Sequence, residues 1–199
     1  RGNFDDHIAT SIPGFRALQS IVGDAIVKTF GDRKAGADML DIAASEGALI
    51  KAVTKMSGGT IRTVGLDPNF AMAEHFAKAP QVAGAEYALA AFGKKEDEGR
   101  DAWVEGEKFD DGTPNPSVGK TVRYYKPGRR FDVVHEAMGF QFINNGRDGH
   151  VRRIHELLKP GGLVIVEEKT LMEPSVFARN EAKKEAFKAL YYSAAERER

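Results

Sequence analysis

Apolar positions along this chain alternate between two spacings. From residue 15 to 30, Leu18, Ile21, Val22, Ala25, Ile26 and Phe30 recur at the three- and four-residue steps of an amphipathic helix. Pro13 ahead of them suits a helix start and Gly31 a stop. Residues 37–43 form a short apolar run of strand type. "GALIKAVTKM" (47–56) returns to helical spacing until Ser57-Gly58-Gly59 closes it. The cycle repeats as a strand at 60–67, a helix at 69–79 and a strand at 85–92. A charged, turn-rich stretch at 93–130 interrupts it. Within that stretch "AWVEG" and "KTVRYYK" can pair as a hairpin, so it reads as an insertion and not as a linker. The cycle resumes with a strand at 131–137 and a helix at 146–158, stopped by Lys159-Pro160-Gly161-Gly162. A strand at 162–170 and a mainly helical end at 173–199 complete it.

Alternating strands and helices predict an α/β fold. The expectation is a Rossmann-like, doubly wound, mostly parallel sheet of about five strands, with helices on both faces and right-handed crossovers. A run such as "LVIV" fits a strand covered on both sides. A chain of 199 residues supports one domain with a substantial core. Residues 1–199 therefore read as one domain, with 93–130 inserted between strands three and four.

Composition narrows the function. Lys+Arg and Asp+Glu balance at 29 each, so no overall field draws the chain to nucleic acid or acidic lipid. A small-molecule or protein substrate is therefore expected ahead of nucleic acid, and a homodimer stays open. No apolar stretch approaches the ~20 residues of a membrane span. The chain has no Cys, hence no disulfide or thiolate chemistry. That fits a reducing compartment, and the cytoplasm is the expected location. The start, "RGNFDDHIAT", has no signal-peptide apolar region and no Met, so a trimmed chain or a fragment is expected.

The candidate chemistry lies where the first strand meets its helix. "DIAASEG" (41–47) carries little side-chain bulk, which lets a ligand approach the backbone, and the helix start offers free N–H groups. In such sheets ligands bind at the carboxyl ends of the strands. The second strand ends in "GLDPN", and Asp67 follows Gly47 at about the 20-residue spacing of a ribose-binding acid. The bland alternative is a generic turn, with Asp67 ahead of Pro68 serving as a helix cap. A dinucleotide needs G-x-G-x-x-G for its pyrophosphate, and only Gly47 is present. A nucleoside cofactor without phosphate fits better.

The sequence here resembles the class I S-adenosylmethionine-dependent methyltransferases. Their D/E-x-G-x-G-x-G motif stands as Asp41-Ile42-Ala43-Ala44-Ser45-Glu46-Gly47, and their strand-two acid as Asp67. "LLKPGGLVIVEE" (157–168) matches their turn before strand five, and "FDVVHEAMGFQFI" (131–143) their strand-four exit. A narrower match is to the carboxy-S-adenosylmethionine synthases, through Ser11-Ile12-Pro13-Gly14-Phe15, "FQFI" and "EKTLMEPSVFARNEAKKEAFKALYY". The resemblance implies S-adenosylmethionine as cofactor, with contacts from Phe15, Asp41, Ala43, Ser45, Gly47, Asp67, Pro68, Phe92 and Ala137. Phe92 stands where the family commonly has an acid after strand three, and is expected to pack on the adenine ring. Ala43 replaces a motif glycine. The family's last two strands and a later Arg have no counterpart, since Arg197 and Arg199 lie too early.

His135 and Glu136 close strand four, and both are expected to face the pocket as catalytic candidates, His135 as a general base. His75, His150 and His155 read as surface helix residues without metal-ligand spacing, so no metal is expected. "NPSVG" (115–119) lacks the Pro-aromatic of base-methylating enzymes. Three readings stand: a methyltransferase, a carboxy-S-adenosylmethionine synthase relative, and a non-catalytic cofactor-binding or interaction domain.

Overall fold

All six residues of the first strand, β1 (Ala37–Ile42), are buried. Such a strand must be covered on both faces, and the computed structural model shows how. It describes residues 4–106, 115, 117–143, 146–168 and 173–197. Before β1 come α1 (Phe4–Ser11) and α2 (Phe15–Phe30). After it come α3 (Ala48–Met56), β2 (Ile61–Asp67), α4 (Phe70–Lys78), β3 (Ala85–Ala91), β4 (Asp101–Val104) and β5 (Thr121–Tyr124). The chain continues with β6 (Phe131–Ala137), α5 (Arg147–Leu157), β7 (Leu158–Glu167), α6 (Pro174–Lys188) and α7 (Ala194–Arg197).

The strands form one sheet in the order β4-β5-β3-β2-β1-β6-β7. It has seven strands, not the five expected. The two extra strands are the hairpin of the charged insertion, β4 and β5, which pair antiparallel. β5 then joins β3 in parallel through Ala90 opposite Arg123 and Ala91 opposite Tyr124. The physical reason is an open edge: β3 presents unpaired N–H and C=O groups, and the hairpin satisfies some of them. All the other pairings are parallel.

Period-two alternation splits the core. On one face Met39 and Val133 pack with Val22, Ile26 and Phe30 of α2 and Leu49 and Val53 of α3. On the other, Leu40, Ile42 and Val134 pack with Ile154 and Leu157 of α5. Ile26 is fully buried, and truncating it to Ala would cost about 2–5 kcal/mol. The apolar stripe of α2 is wider than its contact, for Ile21 remains 65% exposed. The run "LVIV" is likewise less covered than expected. It lies on β7, an edge strand, and Val164 and Val166 are exposed.

His150, expected at the surface, is buried and bonds Glu136. It shares the inner stripe of α5 with Ile154 and Leu157, at i, i+4 and i+7. His155 is exposed as expected. Residues 169–170 of the predicted fifth strand and 198–199 of the helical prediction lie outside the described residues, as does Pro116 of "NPSVG". Arg199 is among them, and the Arg197 side chain is not described. No helix among the described residues is long and apolar enough to cross a membrane.

Buried charges fasten the amino ends of β1 and β6. Asp132 accepts the Asp38 N–H at 2.9 Å, Arg33 at 2.8 Å and Lys159 at 2.8 Å. Asp38 faces Arg62 at 2.9 Å, Lys159 at 3.0 Å and Arg129 at 3.1 Å. Arg129, part of the basic stretch "YYKPGRR", is thus drawn into the fold.

Candidate functional site

The opposite end of the sheet holds a cavity of about 280 Å³. Its floor is the loop between β1 and α3. Positive φ recurs there at every second residue: Ala43 at 59°, Ser45 at 54° and Gly47 at 74°. Such angles strain any residue with a Cβ, so surrounding contacts must hold them. Ala44 N–H donates to Leu66 O at 2.9 Å. Ser45 is gripped twice, its N–H donating to Asp67 Oδ2 at 3.0 Å and its C=O accepting Tyr87 Oη at 2.6 Å. Gly65 of β2 makes room, since a Cβ there would stand 2.9 Å from that of Ala44.

Asp67 reaches this loop from the end of β2. Its Oδ1 accepts the Asn69 N–H at 2.9 Å. The cap of α4 is Asn69, whose Oδ1 accepts from Ala71 N, and not Asp67. Burial pushes the Asp67 carboxyl up to about 6, against the two backbone hydrogen bonds that favour its charge. A neutral pH still leaves it mainly ionised. Each oxygen holds one N–H and retains acceptor capacity for further donors.

His135 stands on β6 directly opposite Asp41 of β1. Its Nδ1 lies 2.6 Å from Asp41 Oδ1, and its Nε2 lies 3.0 Å from Glu167 Oε1 on β7. Burial disfavours the charged ring, but the two carboxylates outweigh it and raise the pKa to about 9. A general base needs a nitrogen with an open lone pair, and both nitrogens here are taken.

Phe15, Asp41, Ala43, Ser45, Asp67, His135 and Ala137 all line the cavity. The remaining four expected site residues do not. Glu136 follows His135 in a strand, so its side chain must point to the other face, where Glu136 Oε2 lies 2.8 Å from His150 Nε2. Phe92 packs edge-on against the His150 ring, with centroids 4.8 Å apart. Gly47 is small for an internal reason: a Cβ there would lie 2.6 Å from the Phe76 ring. Pro68 also lies off the lining.

The residues not foreseen are Ile8, Ile12 and Gln19 of the α1–α2 roof, Ala44, Leu49, Met138 and Gln141 of the lining, and Glu167 bonded to His135. Met138 has φ 55°, so all three non-glycine residues with positive φ among the described residues line this one cavity. Glu167 carried a readable signal: it shares the strand face of Ile165, which stands opposite His135. Met138 carried none. Tyr192, between α6 and α7, bonds Thr10 of α1 through its hydroxyl. It thereby ties the C-terminal helices to the roof.

No family model matches the sequence, and no curated protein matches it. Solved structures do match. The plantazolicin methyltransferase BpumL, in complex with a triazolic desmethylPZN analog and SAH, aligns with a TM-score of 0.56 at 12% identity. That alignment covers 94% of this chain and 59% of that one. The same protein with a monoazolic analog aligns at 0.53 and 11% identity, with the same coverage. YjhP from E. coli aligns at 0.50 and 15% identity, covering 85% of this chain and 56% of that one. The chain therefore has the methyltransferase fold and spans a little over half the length of these solved chains.

Proposed function

We propose that this chain binds S-adenosylmethionine in the cavity and forms the cofactor-binding part of a methyltransferase for a small-molecule acceptor. One observation carries the reading: Asp67, held by two backbone N–H groups, presents a half-buried carboxylate beside the strained loop 43–47. A carboxylate so placed accepts vicinal ribose hydroxyls. Charge supports it as well. The described lining includes Asp41 and Asp67 but no Lys or Arg, which suits a cationic ligand.

When bound, S-adenosylmethionine supplies an electrophilic methyl on a sulfonium. The chain's own task is alignment and exclusion of water. Asp67 fixes the ribose, the floor at Ala43 and Ser45 admits the ligand to the backbone, and Ile8, Ile12 and Phe15 roof the cavity with apolar surface. The carboxy-S-adenosylmethionine synthase resemblance puts Phe15 and Ala137 at the cofactor, and both line the cavity. The one cation in the described lining, His135, is already engaged by Asp41 and Glu167, so unmodified S-adenosylmethionine is the ligand proposed.

Calorimetric titration with S-adenosylmethionine and S-adenosylhomocysteine tests this, after mass spectrometry for carried-over ligand. The expected result is micromolar binding, about −8 kcal/mol, lost in Asp67→Ala. A folded chain that binds neither would overturn the reading in favour of a non-catalytic domain.

A further inference from the structure

Three adjacent parallel strands each send one ionisable side chain to the same face at their carboxyl ends: Asp41 from β1, His135 from β6 and Glu167 from β7. All three side chains are buried. A neutral imidazole has one N–H and one lone pair. A neutral His135 would therefore turn a lone pair toward one of two carboxylates at hydrogen-bond distance. Only the doubly protonated ring donates to both. The other groups facing it do not compete. The roof contributes Ile8, Ile12, Phe15 and Gln19, none of them titratable, and Asp67 of β2 adds a further negative charge beyond Asp41.

We propose that His135 is a positioning residue: as an imidazolium it clamps Asp41 and Glu167, ties the ends of β1, β6 and β7 together, and holds Asp41 in place for the bound cofactor. It is not the proton acceptor of the reaction. The inference rests on the methyltransferase reading for the identity of the ligand. Without the clamp, Asp41 and Glu167 would be neighbouring buried carboxylates with no cation between them. One would take up a proton or turn away, and the wall of the cavity would change shape and charge.

The experiment uses the whole chain labelled with ¹⁵N-histidine. Glu167→Gln keeps the size and one hydrogen bond of Glu167 while removing its charge. The resonance this change displaces assigns His135 among the five histidines. The expected wild-type spectrum at pH 7.5 shows both ring nitrogens protonated, with titration near pH 9. A neutral ring at pH 7.5 overturns the proposal. S-adenosylhomocysteine affinity is then measured from pH 6 to 9 for wild type and Glu167→Gln. In the variant the ring loses its proton at lower pH. Affinity should fall about tenfold, or 1.4 kcal/mol, over that same interval, while the melting temperature shows the fold intact. An affinity that stays flat while the ring titrates assigns His135 a purely structural role and overturns the proposal. Failure of the methyltransferase reading looks different: wild type binds neither compound at any pH, and the cofactor role of the clamp falls with it.

Discussion

At the amino ends of β1 and β6, Asp38 and Asp132 are met by Arg33, Arg62, Arg129 and Lys159. At the carboxyl ends of the same sheet, Asp41 and Glu167 share His135, and Asp67 has only backbone N–H partners. Both ends bury carboxylates. The amino end surrounds them with more cations than acids, and so spends them on the fold. The carboxyl end leaves negative charge uncompensated around a cavity. The Asp132 carboxyl shows the first case: burial pushes it up, but hydrogen bonds from Lys159 and the Asp38 N–H, with the charges of Lys159 and Arg33, bring it below the usual carboxylate range. Asp67 shows the second, at about 6. A half-buried acid that the protein leaves without a cation is a candidate for a ligand to complete.

The sharpest way to break this comparison is to remove one acid from each end. Asp67→Ala should weaken S-adenosylhomocysteine binding by about 3 kcal/mol, more than a hundredfold, because charged hydrogen bonds to ribose are lost. Calorimetry reads it directly, and unchanged affinity would remove the ribose role. Asp132→Ala should leave affinity near wild type and instead lower stability by about 2 kcal/mol. The figure is modest because Arg33 and Lys159 are partly exposed and regain water. For a chain of this size that is roughly 4–8 °C in melting temperature. If Asp132→Ala abolished binding while the melt stayed put, the two ends would not be separate in function.

Acid should separate the ends with no mutation at all. The Asp67 carboxyl lies above its ordinary 3.8, at about 6. Protonating it relieves a buried charge, so its contribution to the stability of the free protein improves as pH falls from 6 toward 4. Its ligand role needs the ionised form, so affinity moves the other way, approaching a tenfold loss per pH unit below 6. Asp132, held low, stabilises at neutral pH, and that stabilisation is lost as pH falls below the ordinary carboxylate range. Affinity measured at pH 7.5, 6 and 5, beside thermal melts carried on to pH 3, checks both signs. A flat affinity across that range would sink the role given to Asp67.

Much of this was legible in the sequence. Strand–helix alternation located the five parallel strands that build the site. The spacing from Gly47 to Asp67 marked the loop and the acid that the structure brings together beside the cavity, because a strand–helix joint constrains backbone and charge within one β-α-β unit. The joining of the hairpin to the sheet was not legible: it rests on two residue pairs, too few for a periodic signal. Reading His135 and Glu136 as pocket neighbours overlooked strand period, which sends adjacent side chains to opposite faces. The role of Gly47 turned on Phe76, a tertiary contact 29 residues away that no local pattern announces.

The smallest expected effect bears on the loop itself. Ala43 and Ser45 hold φ of 59° and 54° at the positions where the D-x-G-x-G-x-G pattern has glycine. The backbone takes positive φ at both positions without glycine. A left-handed alanine costs about 1 kcal/mol over glycine. Ala43→Gly should therefore raise stability by about 1 kcal/mol, some 2–4 °C, without weakening S-adenosylhomocysteine. Ala43→Leu keeps the strain and adds bulk to the cavity lining, so it should abolish binding. The control is Ala37→Gly at the amino end of the same strand, a buried residue outside the positive-φ set. There the change removes packing and frees the unfolded chain, and should lower stability by about 1 kcal/mol. One substitution made at two ends of β1 should thus have opposite signs. If both destabilise equally, the contacts from Leu66, Asp67 and Tyr87 do not impose the loop conformation, and the cavity floor is not the preformed surface that cofactor binding requires.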